Sequence, residues 1–135
     1  MKPHTLLVID DDADDRIFFS EAIKKVSPDV ETHYCESGIQ AIDMLFTRKI
    51  VDPDYIFLDM NMPMMNGKEC LRELGKLIHR SITKVVVLST SDMVEDVQES
   101  MALGARLFVT KPDSFDALCR ILKDVLEEKW HKCFK

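Results

Sequence analysis

Nowhere do the 135 residues carry an apolar stretch approaching the roughly 18–20 residues of a membrane span. The N-terminal Met1-Lys2-Pro3-His4 lacks the long apolar region of a signal peptide. Cys35, Cys70, Cys119 and Cys133 show no CxxC spacing, so neither a zinc site nor a redox pair is indicated. Reduced thiols in a cytoplasmic protein are the simple reading. Positive charge is also short: 18 Lys and Arg against 24 Asp and Glu leave a formal net charge of −6. That balance argues against a general nucleic-acid or anionic-membrane binder. No repeat family or low-complexity tract breaks the chain. What remains is 46% hydrophobic residues, enough for the core of one compact domain spanning residues 1–135.

Strand and helix patterns alternate five times. Strands are expected at Leu6–Ile9, Val30–Cys35, Tyr55–Leu58, Lys84–Leu88 and Leu107–Val109, from short apolar or alternating runs. Val30–Cys35 alternates as a half-exposed edge strand should. Helices are expected at Asp14–Val26, Ser37–Arg48, Gly67–Ile78, Val94–Leu103 and Ser114–Trp130, with Gly104 as a C-terminal stop and Ser114 as an N-cap. Such units imply right-handed crossovers and a parallel sheet with helices on both faces.

Asp10 and Asp11 end the apolar run Leu6–Ile9, and Asp59 ends the run Tyr55–Leu58. In an open α/β sheet, the rim at the carboxyl ends of the strands is where ligands bind. Two like charges at 4 Å cost about 4 kcal/mol at an effective dielectric near 20. Three gathered carboxylates therefore call for a cation or a retained proton. The oxygen-only donor set favours Mg2+, which takes one or two carboxylates and keeps several waters. Asp11, Asp59 and the backbone carbonyl of Asn61 would leave half its shell open for water or a phosphoryl group. Asp12, Asp14 and Asp15 have a plainer explanation as first-turn acids complementing a helix dipole. Ser89-Thr90-Ser91 follows the strand Lys84–Leu88, and Lys111-Pro112 follows Val109-Thr110. Each is weak alone, since hydroxyls make turns and lysines sit on surfaces. Together, carboxylates, a hydroxyl and a lysine all fall at the carboxyl ends of parallel strands.

This combination resembles the receiver domain of two-component response regulators over nearly the whole chain. The matching motifs are Leu7-Val8-Ile9-Asp10-Asp11, Ile56-Phe57-Leu58-Asp59-Met60-Asn61-Met62-Pro63 with Gly67, Val86-Val87-Leu88-Ser89-Thr90, and Phe108-Val109-Thr110-Lys111-Pro112. The intervals of 30 residues from Asp59 to Ser89 and 22 from Ser89 to Lys111 agree with the family, whereas the 49 from Asp10 to Asp59 leave room for a lengthened connection near Lys49–Asp54.

The resemblance implies a flavodoxin-like (βα)5 doubly wound parallel sheet in strand order 2-1-3-4-5. It makes Asp59 the phosphoacceptor, Asp11 a direct metal ligand, and Asp10 a ligand acting mainly through water. Ser89 and Lys111 receive phosphoryl oxygens, Ser89 and Phe108 form the switch pair, and the Lys111–Pro112 bond is expected to be cis. Thr90 stands where the family has something smaller and would narrow access to the phosphoryl group. The implied function is a phosphorylation-dependent signalling switch, not an enzyme with its own substrate. A sensor histidine kinase or histidine phosphotransfer protein supplies the phosphoryl group. Phosphorylation reshapes the face of the fourth helix, fifth strand and fifth helix, and an unidentified downstream protein reads it.

With no output domain expected after Lys111-Pro112, the signal leaves through protein contacts. Trp130 and Phe134, at i and i+4 in the C-terminal tail, either pack on their own domain or form a homodimer or partner contact. The crowded methionines Met60, Met62, Met64 and Met65 read as adaptable packing. Rival readings fit less well. A haloacid-dehalogenase-type enzyme needs an acid where Asn61 stands. A flavin binder needs a phosphate loop where Asp10–Asp15 would repel phosphate. A phosphate-blind receiver would lack these acids.

Overall fold

A computed structural model describes residues 5–62, 66–90 and 93–130. Five parallel strands, β1 (Thr5–Ile9), β2 (Glu31–Cys35), β3 (Tyr55–Asp59), β4 (Lys84–Ser89) and β5 (Leu107–Thr110), form one sheet in the order β2-β1-β3-β4-β5. Helices α1 (Ala13–Val26), α2 (Gly38–Phe46), α3 (Gly67–Leu74), α4 (Val94–Ala102) and α5 (Phe115–Leu126) alternate with them. The fold class and strand order are those the sequence implied.

Period-two alternation divides the strands between two cores. Leu6, Val8, Tyr55, Phe57, Val86, Leu88, Leu107 and Val109 face α1 and α5, where they meet Phe19, Ile23, Leu118 and Leu122. Leu7, Ile9, Ile56, Leu58, Val85, Val87 and Phe108 face α2 and α3, meeting Ala41, Leu45, Leu71 and Leu74. Because both faces are covered, the central strands read as continuous apolar runs. Phe19 and Phe57 meet edge to face at 5.0 Å between centroids, a contact worth about 0.5–1.5 kcal/mol beyond area burial. At the edge, β2 is half-buried along most of its length rather than cleanly alternating.

Three helices stop earlier than the apolar spacing predicts. After α2, Arg48 takes φ 60° and its N–H bonds the Leu45 carbonyl. After α3, the chain turns at Gly75, and the N–H groups of Leu77 and Ile78 both bond the Leu74 carbonyl. After α5, Glu128 takes φ 59°, with its N–H on Val125 O and the Lys129 N–H on Asp124 O. That is the paired closure of a Schellman motif. Gly104, at φ 111°, closes α4 in the same way, with bonds from Gly104 N to Met101 O and from Ala105 N to Ser100 O.

Beyond α5, Trp130 folds back. Its Nε1–H donates to Val125 O at 3.1 Å, as does the Tyr55 hydroxyl, and the Arg106 guanidinium lies 4.9 Å over the indole ring. Of the two readings of the tail, self-packing holds for Trp130; Phe134 lies outside the described residues, as do Pro63, Met64 and Met65. Burial pushes the Cys35 thiol up to about 11 and the Cys70 thiol up to about 12, so both behave as core groups rather than nucleophiles. Among the described residues, no helix is long and apolar enough to cross a membrane.

Ser114 caps α5 through its Oγ, which accepts from Ala117 N at 3.1 Å. Ser114→Ala is expected to lower stability by about 1 kcal/mol, read as an earlier urea midpoint at unchanged slope.

Candidate functional site

The register brings four strand ends level. Ile9 pairs with Leu58, Asp59 with Leu88, and Ser89 with Thr110. Backbone bonds continue one residue past the strands: Asp10 N to Cys35 O at 3.0 Å, Met60 N to Leu88 O at 3.1 Å, and Lys111 N to Ser89 O at 2.8 Å. Asp10 therefore stands beside Asp59, and Lys111 beside Ser89, each on a main chain fixed by the sheet.

Carboxylate oxygens of Asp10, Asp11 and Asp59 all lie within 4.8 Å of one another. Asp59 is 4% exposed and Asp10 8%, while Asp11 faces solvent. Lys111 Nζ reaches all the way across, 3.2 Å from Asp59 Oδ1, 3.6 Å from Asp15 Oδ2 and 4.0 Å from Asp10 Oδ2. The Asn61 N–H also donates to Asp59 Oδ1, at 3.0 Å, and the Asp12 N–H donates to Asp10 Oδ1 at 3.0 Å.

Electrostatics follow from this crowding. Burial raises Asp10 to about 6; the bond from Asp12 and the charge on Lys111 act against the rise, and the charges on Asp59 and Asp15 add to it. For Lys111, burial alone would lower the pKa, but Asp59, Asp10 and Asp15 outweigh it, and the ammonium is held above its ordinary range. Three carboxylates facing one ammonium, with Asp11 beside them, leave an uncompensated negative charge. Converging oxygen donors, without a nitrogen or sulfur ligand among them, fit a hard divalent cation of the magnesium type.

Ser89 and Phe108 are both buried, and both line a cavity of about 260 Å³ with Met60, Asn61, Asn66, Lys68 and Asp96. Thr90 is exposed, and its Oγ1 accepts from Asn61 Nδ2 at 3.1 Å. The Lys111–Pro112 bond is trans, correcting the cis expectation. Trans is the intrinsically favoured isomer of an X–Pro bond by about 0.5–1 kcal/mol, and Lys111 reaches Asp59 without the other form.

Gly67 starts α3 against the site. Its N–H bonds Met60 O at 3.2 Å, and a Cβ there would lie 2.5 Å from Met60 Cα, so no side chain fits. Sequence reasoning missed two contributors. Asp15, assigned to the helix dipole, also pairs with Lys111; its place in the first turn of a helix that starts four residues past the strand end was the available signal. Arg16 Nη1 donates to Asp10 O at 2.7 Å, for which the sequence carries no comparable cue.

Residues 6–123 match the family described as response regulator receiver domain. The chain is 30% identical over 129 residues to sporulation initiation phosphotransferase F of Bacillus subtilis (strain 168), covering 96% of this chain and 98% of that protein. Several other curated relatives are longer, and the chain spans 25% to 49% of their length. Among solved structures, it is similar to the phosphorylated cyanobacterial phytochrome response regulator RcpA, with TM-score 0.80 and 27% identity over 98% of this chain and 97% of that one. It is also similar to the Mn(2+)-bound form of response regulator Rcp1, with TM-score 0.78 and 25% identity over 95% of each chain.

Proposed function

The chain belongs to the family of response regulator receiver domains, which act in phosphorylation-dependent signalling, and on that premise we propose that Asp59 accepts a phosphoryl group from a phosphohistidine on a sensor kinase or phosphotransfer protein. The observation that carries this reading is a buried carboxylate at a strand end, among two further acids, with Lys111 Nζ 3.2 Å from its Oδ1. The Bacillus subtilis relative, a phosphotransferase by name, supports a role in phosphoryl transfer.

Among the described residues, both donors to Asp59 reach Oδ1, which makes Oδ2 the oxygen to form the new bond. In the transfer an Oδ2–P bond forms as the P–N bond breaks; the bonding pair leaves with the imidazole, which takes a proton from solvent. Such transfers need positioning and charge neutralisation more than covalent help. Lys111 supplies one fixed positive charge against the equatorial oxygens. Magnesium, held by Asp11, Asp59 and the Asn61 carbonyl with Asp10 acting through water, would supply the rest; the manganese-bound Rcp1 is the supporting relative.

The acyl phosphate adds charge that Ser89 and Lys111 can bond, and the differential contact biases an existing equilibrium. Movement of Ser89 into the site, with Phe108 adjusting into the 260 Å³ cavity, alters the face formed by α4, β5 and α5. A downstream protein reads that face. In this reading, residues 1–135 act as one cytoplasmic receiver domain that signals by protein contact.

Incubation with acetyl phosphate and Mg2+, followed by hydroxylamine, is expected to convert Asp59 alone to a hydroxamate, located by peptide mass spectrometry. Modification at another residue, or none while a control receiver reacts, refutes the proposal.

A further inference from the structure

Helix α4 is poorly anchored by apolar burial. Ser100 is its one fully buried residue, and the Ser100 hydroxyl has no hydrogen-bond partner. Val97 is only half-buried, whereas Met93 and Val94 are 60% and 67% exposed. The N-cap residue Met93 makes no side-chain capping bond. A helix with few buried apolar contacts sits at the low end of local stability. What crosses to it is Lys68, from the first turn of α3. Its Nζ lies 2.7 Å from Glu99 Oε2 and 3.1 Å from Asp96 Oδ1, one helical turn apart on α4. Lys68 and Asp96 also line the 260 Å³ cavity that borders Ser89, Asn61 and Phe108. The clamp therefore closes over the space into which the switch residues would move.

We propose that Lys68 is a positioning residue that latches α4 to α3 and thereby sets how readily Ser89 moves toward Asp59. This rests on the phosphoacceptor reading for its consequence, but not for the latch itself. Ser89 ends β4, and α4 begins five residues later, so the short connection couples the hydroxyl to the helix. Drawing Ser89 inward pulls on the start of α4, and the two ion pairs oppose that pull. Releasing them shifts the population toward the form that binds a phosphoryl group better. Because the pairs are partly solvated, the latch is screened by salt.

Hydrogen exchange on the full chain, read by mass spectrometry, tests it in wild type, Lys68→Gln and Lys68→Arg. Lys68→Gln is expected to speed exchange across residues 94–102 by about 2- to 5-fold, the range for an exposed ion-pair cluster, with β1 and α1 unchanged. Lys68→Arg is expected to restore protection. Molar NaCl should speed α4 exchange in wild type and add little in the glutamine variant. The half-saturating acetyl phosphate concentration for labelling Asp59 should fall in Lys68→Gln by a similar factor, with the maximal rate nearly unchanged. Unchanged α4 exchange, or an equal rise throughout the molecule, overturns the latch. Faster α4 exchange with an unaltered half-saturating concentration overturns its link to Ser89. If α4 loosens as expected while no variant takes label, the latch stands and the phosphoacceptor assignment fails.

Discussion

The Asp59→Asn protein is expected to fold normally and to take up no phosphoryl label. Asparagine has the shape of aspartate, and its amide oxygen still accepts from Asn61 N–H and from Lys111, which now hold Oδ1 at 3.0 and 3.2 Å. Removing one charge from a cluster whose oxygens lie within 4.8 Å relieves repulsion, so stability should not fall. What disappears is the nucleophile, because a neutral amide oxygen does not attack phosphorus at a useful rate. Loss of a covalent nucleophile should lower labelling from a phosphohistidine donor or acetyl phosphate on the order of 100-fold or more, down to background. Circular dichroism and urea midpoint serve as controls for the fold. Acid-labile label at an undiminished level in this variant would move the phosphoacceptor elsewhere, with Asp10 or Asp11 as the next candidates.

Much of this site was legible because parallel α/β geometry converts sequence position into spatial position. A polar residue within one or two positions of the end of a short apolar run stands at the carboxyl end of a strand, and Asp10, Asp59, Ser89 and Lys111 all satisfy that rule. Their convergence then needs only the strand order. Helix ends were less legible. Gly104 announces its left-handed cap because glycine favours positive φ, but Arg48 and Glu128 adopt the same region without glycine's permissiveness. Each is held there by hydrogen bonds to the preceding turn, which composition does not reveal. Asp15 was hidden for a different reason. A first-turn acid already has a sufficient local explanation in the dipole, and its pairing with Lys111 depends on how α1 is set against β5, a tertiary fact. Lys68 was silent likewise, because its partners lie 28 and 31 residues away on another helix.

Asp10→Asn separates the metal reading from a purely structural role, because the stability it gains without magnesium should shrink or vanish when magnesium is bound. Burial raises Asp10 from 3.8 to about 6, so the native state holds this proton more tightly than the unfolded chain. By linkage, the group's contribution is fully favourable below about 4 and is lost as pH rises through about 6. Above that pH the ionised side chain is a net cost, on the order of 2 kcal/mol, which asparagine removes while still accepting the Asp12 N–H bond. In chelator at pH 7.5 the variant should therefore be the more stable protein, and its advantage should shrink as pH falls from about 6 to about 4. Magnesium acts the other way and offsets most or all of that advantage. At a concentration 100 times its dissociation constant, a ligand stabilises wild type by about 2.7 kcal/mol. Loss of a carboxylate acting through the metal's water shell should weaken affinity by about 10- to 100-fold, leaving the variant a gain of only about 0.4–1.4 kcal/mol. Urea unfolding at pH 4.5 and 7.5, each with and without Mg2+, measures all four terms. Equal magnesium stabilisation in both proteins would remove Asp10 from the metal site. A loss of stability in chelator at pH 7.5 would mean that its charge is balanced by the protein alone, and the cluster would then have no physical need of a cation.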